Sequence, residues 1–197
     1  MEIKKRVLTS DIVIAAAVEI AEKKGLSQLR MQELAATLNV KPASLYNHIG
    51  GIDEVRSYVA QIVLKKLEEV IRDVAVGYSR EDALRKIANA YRRFVVTRPE
   101  LYKAFFISSA NFDDAGIEEA KMSVVRVFQQ VLEPYQLSHK TKIHFTRCFR
   151  SCLHGFVSLE SAGFFKDKVS IDESFDAMLE SLLALLNNYA LQTENRK

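Results

Sequence analysis

Apolar residues recur at intervals of three and four along almost the whole chain, which is the spacing of a helix face. The stretch after Gly50 and Gly51 shows one broad apolar stripe, formed by Ile52, Val55, Val59, Ile62, Leu67, Val70 and Val74. Seven glycines and three prolines in 197 residues leave few positions that interrupt helices. Hydrophobic residues make up 48% of the chain, enough for a packed core. The sequence therefore predicts an all-α protein.

Capping and breaking residues divide the chain into nine predicted helices. Thr9 caps a first helix with Ile12, Ala16, Ala17 and Ile20 facing inward, and Gly25 ends it. A short helix over about 30–38 ends at Asn39, which fits a left-handed terminating position. A third helix begins at Pro42, where proline loses no hydrogen bond. The remaining helices are predicted over about 52–74, 80–97, 100–107, 115–132, 139–164 and 172–192. A turn over 111–114 leads into the seventh helix, Ser138 caps the eighth, and Asp172 opens the last.

Composition and charge exclude several classes of protein. No run approaches the ~18 apolar residues of a membrane span, and no secretory signal is visible, so we expect a cytoplasmic protein without a membrane partner. The net charge of +3 is compatible with nucleic acid without establishing it. The sequence contains no Gly-rich phosphate loop, nucleophile elbow or zinc-binding His pair. We expect no catalytic residue, no cofactor and no enzymatic activity.

The segment from Met31 to His48 has the pattern of a helix-turn-helix. Ala35 lies where two helices must approach closely, and a small core is supplied by Leu34, Leu38, Val40 and Leu45. The third helix is short, and its outward residues are Lys41, Ala43, Ser44 and Asn47. A short exposed helix that is held by two others suits the major groove of DNA.

Residues Thr9 to Val55 resemble the DNA-binding head of the TetR family. The matching residues are Ile12, Ala16, Ala17, Gly25, Leu34, Ala35, Asn39, Val40 and the run Leu45-Tyr46-Asn47-His48. The resemblance implies a nine-helix architecture, with a DNA-binding domain over residues 1–51 and a regulatory and dimerisation domain over 52–197. It also implies a homodimeric, ligand-responsive repressor that binds a palindromic operator in double-stranded DNA. A helical interaction protein that uses this fold without controlling transcription is the alternative.

The resemblance assigns roles to individual residues. Tyr46 and His48 would hydrogen-bond backbone phosphates, whereas Ser44 and Asn47 are the better candidates for reading bases. The complete predicted DNA-binding set is Arg30, Lys41, Pro42, Ala43, Ser44, Tyr46, Asn47 and His48. Tyr46 and His48 have the alternative role of packing the head against the fourth helix, and tyrosine is amphipathic enough to do both.

The sequence departs from the family pattern at several positions. Arg30 replaces the threonine that caps the second helix, so the cap is lost or Ser27 supplies it. Asn39 replaces a turn glycine, and Ile49 replaces the phenylalanine after the histidine. Ile52 replaces a lysine that often binds phosphate, although the Gly51 amide at a helix start remains available. We therefore expect ordinary rather than strong nonspecific affinity for DNA.

The two C-terminal helices are the candidates for a dimer interface. The last helix carries two adjoining apolar stripes, one more than a monomer core requires, and the preceding helix carries a strip of small residues. The predicted interface residues are Ser151, Gly155, Ser158, Ala162, Met178, Leu182, Leu185 and Tyr189. They would form a four-helix bundle across a two-fold axis; an enlarged monomer core is the alternative. The run around His154-Gly155 also resembles a TetR C-terminal class named for a Trp-His-Gly element, without its tryptophan.

Aromatic residues of the body are candidates for a pocket that binds a small apolar effector. They are Tyr102, Phe105, Phe106, Phe128, Phe145 and Phe149; ordinary core packing is the alternative. His144, Cys148 and Cys152 follow one another at intervals of four. They span roughly 12 Å of helix, too far for one ion to contact all three, so we predict no metal site.

Overall fold

The computed structural model describes residues 7–103 and 115–194, and its described residues are helical without any β-strand. This confirms the predicted all-α class. The helices are α1 (Ser10–Lys24), α2 (Met31–Thr37), α3 (Pro42–Leu45), α4 (Ile52–Ala75), α5 (Arg80–Thr97), α6 (from residue 99, described to 103), α7 (Ala115–Leu132), α8 (His139–Ser161) and α9 (Ile171–Glu194). Two 3₁₀ turns cover Leu26–Gln28 and Glu133–Tyr135. The predicted helix end near residue 107 and the turn before α7 lie outside the described residues.

The chain divides into two compact units. The first consists of the described residues of Met1–Leu64 and Arg98–Ala120, and the second of those of Lys65–Thr97 and Lys121–Lys197. The domain boundary between residues 51 and 52 stays a prediction.

Helix α1 forms as its capping signals indicate. The Thr9 hydroxyl accepts a hydrogen bond from the Ile12 backbone N–H at 3.3 Å, which satisfies one of the unpaired donors of the first turn. Gly25 ends the helix with φ of 84°, and a Cβ there would lie 2.7 Å from a Glu100 carboxylate oxygen. Glycine is therefore required by the backbone, whereas the end of the flexible Glu100 side chain could move to make room for a Cβ. Ile12 is only half-buried, and Val13 lies fully in the core instead.

Helix α8 ends at Ser161, three residues earlier than predicted. Gly163 adopts a left-handed φ of 71°, and its N–H donates to the Glu160 carbonyl at 3.0 Å. The Phe164 N–H donates to the Leu159 carbonyl, also at 3.0 Å. This pair of bonds is the Schellman motif, which terminates a helix and explains the difference.

Helices α5, α8 and α9 of the second unit are joined by the Arg92 guanidinium. It donates two hydrogen bonds to the Glu160 carboxylate, at 2.6 and 2.8 Å, and forms an ion pair with Asp172 at 2.8 Å. It also lies 4.7 Å from the centre of the Phe175 ring, a distance typical of cation–π contacts. The Arg92 and Glu160 side chains are mostly buried, so solvent screens their attraction weakly.

Candidate nucleic-acid interface

The turn between α2 and α3 is built on Asn39. This residue has φ of 53°, as predicted, and its N–H donates to the Ala36 carbonyl at 3.1 Å. The Val40 N–H donates to the Ala35 carbonyl at 3.0 Å. Asparagine thus completes a Schellman motif at a position where glycine is the usual residue.

Helix α3 is a single turn held by its apolar side chains. It starts at Pro42 after Lys41 and ends at Leu45, so Tyr46, Asn47 and His48 form a tighter turn after the helix rather than its last residues. The His48 N–H donates to the Leu45 carbonyl three residues earlier, which is 3₁₀ geometry. Four residues are almost completely buried beneath this segment: Leu34, Ala35, Leu45 and Ile49. Leu38 and Val40, also predicted for this core, are half-buried.

Three further contacts fix the segment and its flanks. The Ser10 hydroxyl donates to the His48 carbonyl at 2.8 Å and ties the end of the turn to α1. The Gly50 N–H donates to the Glu54 carboxylate in the first turn of α4. The Arg56 guanidinium donates to the Leu29 carbonyl at 3.0 Å.

Sequence reasoning missed these three anchoring side chains. Glu54 follows Gly50 by four residues, and a carboxylate at the start of a helix is a signal that identifies it. Ser10 and Arg56 bond to carbonyls that are distant in sequence, and no local pattern indicates them.

All eight residues of the predicted DNA-binding set have accessible surface. Ser44 and His48 are half-buried, and the other six are exposed. Seven of them lie together on the continuous segment Lys41–His48, whereas Arg30 lies at the N-terminus of α2. Tyr46 is 59% exposed. Most of its surface is therefore available to a ligand rather than used in packing against α4.

The cations of this surface differ in their availability. Lys24 is paired with Glu33, and Lys23 lies 3.8 Å from Glu19. Within the described ranges, Arg30 and Lys41 form no ion pair. No side chain caps α2, so the cap that Arg30 replaces is lost and Ser27 does not supply it. The exposed Arg30 and Lys41 charges remain available to an anionic partner.

Comparison with protein families identifies both parts of the chain. Residues 13–57 match the model described as bacterial regulatory proteins, tetR family. Residues 84–182 match the tetracyclin repressor-like C-terminal domain. The chain belongs to the TetR family of transcriptional regulators. As a TetR-family helix-turn-helix protein, it binds DNA and regulates transcription.

Relatives support the same assignment. The chain is 33% identical over 184 residues to the HTH-type transcriptional regulator YobS of Bacillus subtilis, covering 92% of this chain and 95% of the relative. It is 29% identical over 177 residues to an HTH-type transcriptional regulator of Mycobacterium tuberculosis, covering 90% and 81%.

Solved structures share the TetR-family fold. Apo ActR from Streptomyces coelicolor has a TM-score of 0.71 at 20% identity, covering 94% of this chain and 98% of that one. A TetR variant from Acinetobacter baumannii in complex with minocycline has a TM-score of 0.67 at 18% identity, with coverages of 93% and 98%.

The predicted dimer residues of this TetR-family chain fall into two groups by burial. Leu182 is buried within the single chain, together with Phe175, Leu179, Leu183 and Leu186, so it belongs to the monomer core. The others retain accessible surface: Ser151, Gly155, Ser158, Ala162, Met178, Leu185 and Tyr189. Leu159 and Phe164 add exposed apolar surface near the end of α8, at 45% and 70%.

The predicted pocket residues that the structure describes are tightly packed. Phe128, Phe145 and Phe149 are at most 3% exposed. The Phe149 ring centre lies 5.8 Å from that of Phe128 and 5.6 Å from that of Phe145. Tyr102 is buried in the first unit, and Phe105 and Phe106 lie outside the described residues. An effector pocket lined by this set stays a prediction.

Two titratable groups of α8 have shifted pKa values. Burial, with a further contribution from Arg150, lowers the pKa of His154, whose Nδ1 lies 3.4 Å from the Ser158 hydroxyl. Burial, with a further contribution from Cys148, raises the pKa of the Cys152 thiol. Among the described residues, no three metal-binding side chains converge on one point, and no helix has the length and apolarity to span a bilayer.

Proposed function

We propose that this TetR-family regulator is a homodimeric, ligand-responsive repressor that binds a palindromic operator through the segment Lys41–His48. The observation that carries the proposal is this exposed polar segment, held by buried Leu45 and Ile49 and by the bond from Ser10 to the His48 carbonyl. A rigid segment loses little conformational entropy when it enters a groove. Family membership favours transcriptional control over the alternative of a helical interaction protein.

The residues of the segment have two roles in DNA binding, contact with phosphates and contact with bases. The Tyr46 hydroxyl and the His48 ring donate to phosphates and set the orientation of the head, while Ser44 and Asn47 read base edges. Asparagine pairs well with adenine in the major groove because its amide both donates and accepts. Arg30 and Lys41 contribute sequence-independent attraction.

The accessible apolar surface of α8 and α9 supports the proposed dimer. Met178, Leu185 and Tyr189 remain half-buried after the monomer core has formed. A Cβ on Gly155 would meet no atom within 4 Å, so a second helix has room to approach there. A two-fold dimer places two recognition segments about 34 Å apart, in successive major grooves.

Ligand response requires that an effector change this spacing. Helix α4 is continuous from Ile52 to Ala75 and connects the head to the rest of the chain. An effector that favours one position of α4 shifts the population away from the spacing that the operator requires. The structural neighbour in complex with minocycline supports this part by analogy of fold.

Selection of bound fragments from random DNA tests the operator assignment. The expected result is an inverted repeat with half-sites about one helical turn apart. Tyr46→Phe and His48→Ala should weaken binding to all sequences alike in electrophoretic shift assays. Tyr58→Phe is the matched control, because Tyr58 is also exposed (45%) but lies outside the segment. Unchanged affinity of both variants would contradict the assignment of phosphate contacts to Tyr46 and His48.

Sedimentation of Gly155→Leu tests the dimer. Open space around Gly155 means that leucine is tolerated in the monomer, so a loss of dimer reports on the interface itself. The control is Ala184→Leu, at an exposed position of α9 away from the stripe of Met178, Leu185 and Tyr189. A dimeric Gly155→Leu protein would exclude this part of α8 from the interface.

A further inference from the structure

A groove lies where the end of α4, the following loop and α5 meet in the second unit. Its volume is about 360 Å³, within the range of roughly 300–1,000 Å³ that small-molecule sites occupy. Val74 and Ala90 provide apolar surface, and the ring of Tyr78, which is 51% exposed, provides an aromatic wall. The described aromatic residues predicted for an effector pocket do not line this groove; they are Tyr102, Phe128, Phe145 and Phe149.

The cationic side chains of the groove differ in whether they form an ion pair with a carboxylate. Arg85 donates to both oxygens of the Glu180 carboxylate and lies 3.7 Å from Glu81, so its charge is balanced. Lys86 Nζ lies 4.1 Å from the centre of the Tyr78 ring. Arg93 forms no ion pair within the part of the chain that the structure describes. Lys86 and Arg93 therefore contribute two positive charges that form no ion pair among the described residues, although Asp73 lines the same groove.

The walls of the groove are held in place without a ligand. The Asn89 amide donates to the Arg85 carbonyl at 2.9 Å, and Glu180 fixes Arg85. Tyr78 lies in a loop between Gly77, with φ of 79°, and Arg80, with φ of 51°. A left-handed arginine is uncommon and costs energy, and such residues are found preferentially at binding sites. A preformed groove loses little entropy on binding.

We propose that this groove binds a small aromatic carboxylate. The carboxylate accepts hydrogen bonds from Lys86 and Arg93, which are stronger than neutral ones because the groups are charged. The ring lies on Val74 and Ala90 and against Tyr78, as aromatic pairs prefer offset or edge-to-face contact. Lys86 and Arg93 lie on the same face of α5, two helical turns and about 10 Å of rise apart, and their long side chains can converge on one carboxylate. Asp73 lines the same groove and opposes a second negative charge on the ligand.

Calorimetric titration of the full chain with naphthalene-2-carboxylate tests this site, with naphthalene-2-carboxamide as the uncharged isostere. The carboxylate should bind saturably, once per chain, and the amide should bind about tenfold more weakly. No DNA is present, so the outcome is independent of the proposed operator binding.

Substitutions then locate the bound probe. Arg93→Gln and Lys86→Gln should each weaken carboxylate binding by about tenfold, and Asp73→Asn should strengthen it. Lys140→Gln, which removes an exposed cation outside the groove, is the matched control. Circular dichroism confirms that the variants are folded.

Three results would overturn the proposal. The first is the absence of saturable binding, and the second is equal affinity for the carboxylate and the amide. The third is carboxylate binding that both Arg93→Gln and Lys86→Gln leave unchanged, because the probe would then occupy another part of the protein.

Discussion

The segment Lys41–His48 and the accessible face of α8 and α9 present opposite kinds of surface. The first is polar and short, and it is anchored by buried Leu45 and by the Ser10 bond to the His48 carbonyl. The second consists of apolar side chains that the monomer core leaves partly accessible. A polar segment suits a charged partner and gives salt-dependent binding. An apolar face suits a second protein surface, and its burial depends little on salt.

The anchoring of the polar segment is the feature whose loss should have the largest effect. Leu45→Ala removes a fully buried side chain and should lower the free energy of unfolding by about 2–5 kcal/mol. Urea unfolding measures this change. Leu191→Ala, at a position that is 56% exposed, is the control and should stay within about 0.5 kcal/mol. A small effect of Leu45→Ala would show that the segment is not held by its core.

Substitution of Arg92 tests which interactions maintain the arrangement of the helices that carry the apolar face. Arg92→Gln leaves the mostly buried Glu160 carboxylate without its partner and should cost about 2 kcal/mol, less than the ~3–5 kcal/mol of a fully buried pair. Arg85→Gln is the matched change on the same helix. Its partner Glu180 is more exposed, so the cost of Arg85→Gln should be clearly smaller. Equal costs in urea unfolding would contradict a special role for Arg92.

Within the polar segment, substituting a base-reading residue and substituting a phosphate-binding residue should have different effects on DNA binding. Asn47→Ala should reduce discrimination between the operator and a site with one changed base pair by about 1–2 kcal/mol, with a smaller effect on nonspecific DNA. Lys41→Gln should weaken binding to all sequences and reduce the salt slope by about one. Fluorescence anisotropy across a salt series measures both quantities. The assignment fails if Asn47→Ala and Lys41→Gln behave alike.

The smallest expected effect is a pH dependence of the stability of the unit that carries the apolar face. Burial lowers the pKa of His154, so protonation of the ring is less favourable in the folded chain than in the unfolded chain. Above the ordinary histidine pKa of about 6.5 the ring is neutral in both states. As pH falls from there towards about 5, the free energy of unfolding should decrease modestly.

His154→Gln should flatten this pH profile of the free energy of unfolding, as measured by urea unfolding between about pH 7 and 5. An unchanged profile would show that His154 does not cause the pH dependence.

Much of the fold was predictable because helix ends are encoded locally. Thr9 and Ser138 accept the expected capping bonds, at 3.3 and 3.1 Å, and Asn39 is left-handed as predicted. Each signal acts within a few residues of itself. The errors were also local: Gly163 ends α8 early, and Ser170 rather than Asp172 caps α9 through the Glu173 N–H.

By itself, the sequence determined the all-α class, the helix-turn-helix and the set of accessible residues on Lys41–His48, because spacing and capping depend on near neighbours. Only the tertiary structure decided which apolar residues of α9 are used in the core, placing Leu182 inside and leaving Leu185 half-buried. It also decided that Phe128, Phe145 and Phe149 pack on one another. These outcomes depend on contacts between helices that are distant in sequence. The spacing of apolar residues along a helix is the same whether their stripe packs in the core or stays accessible.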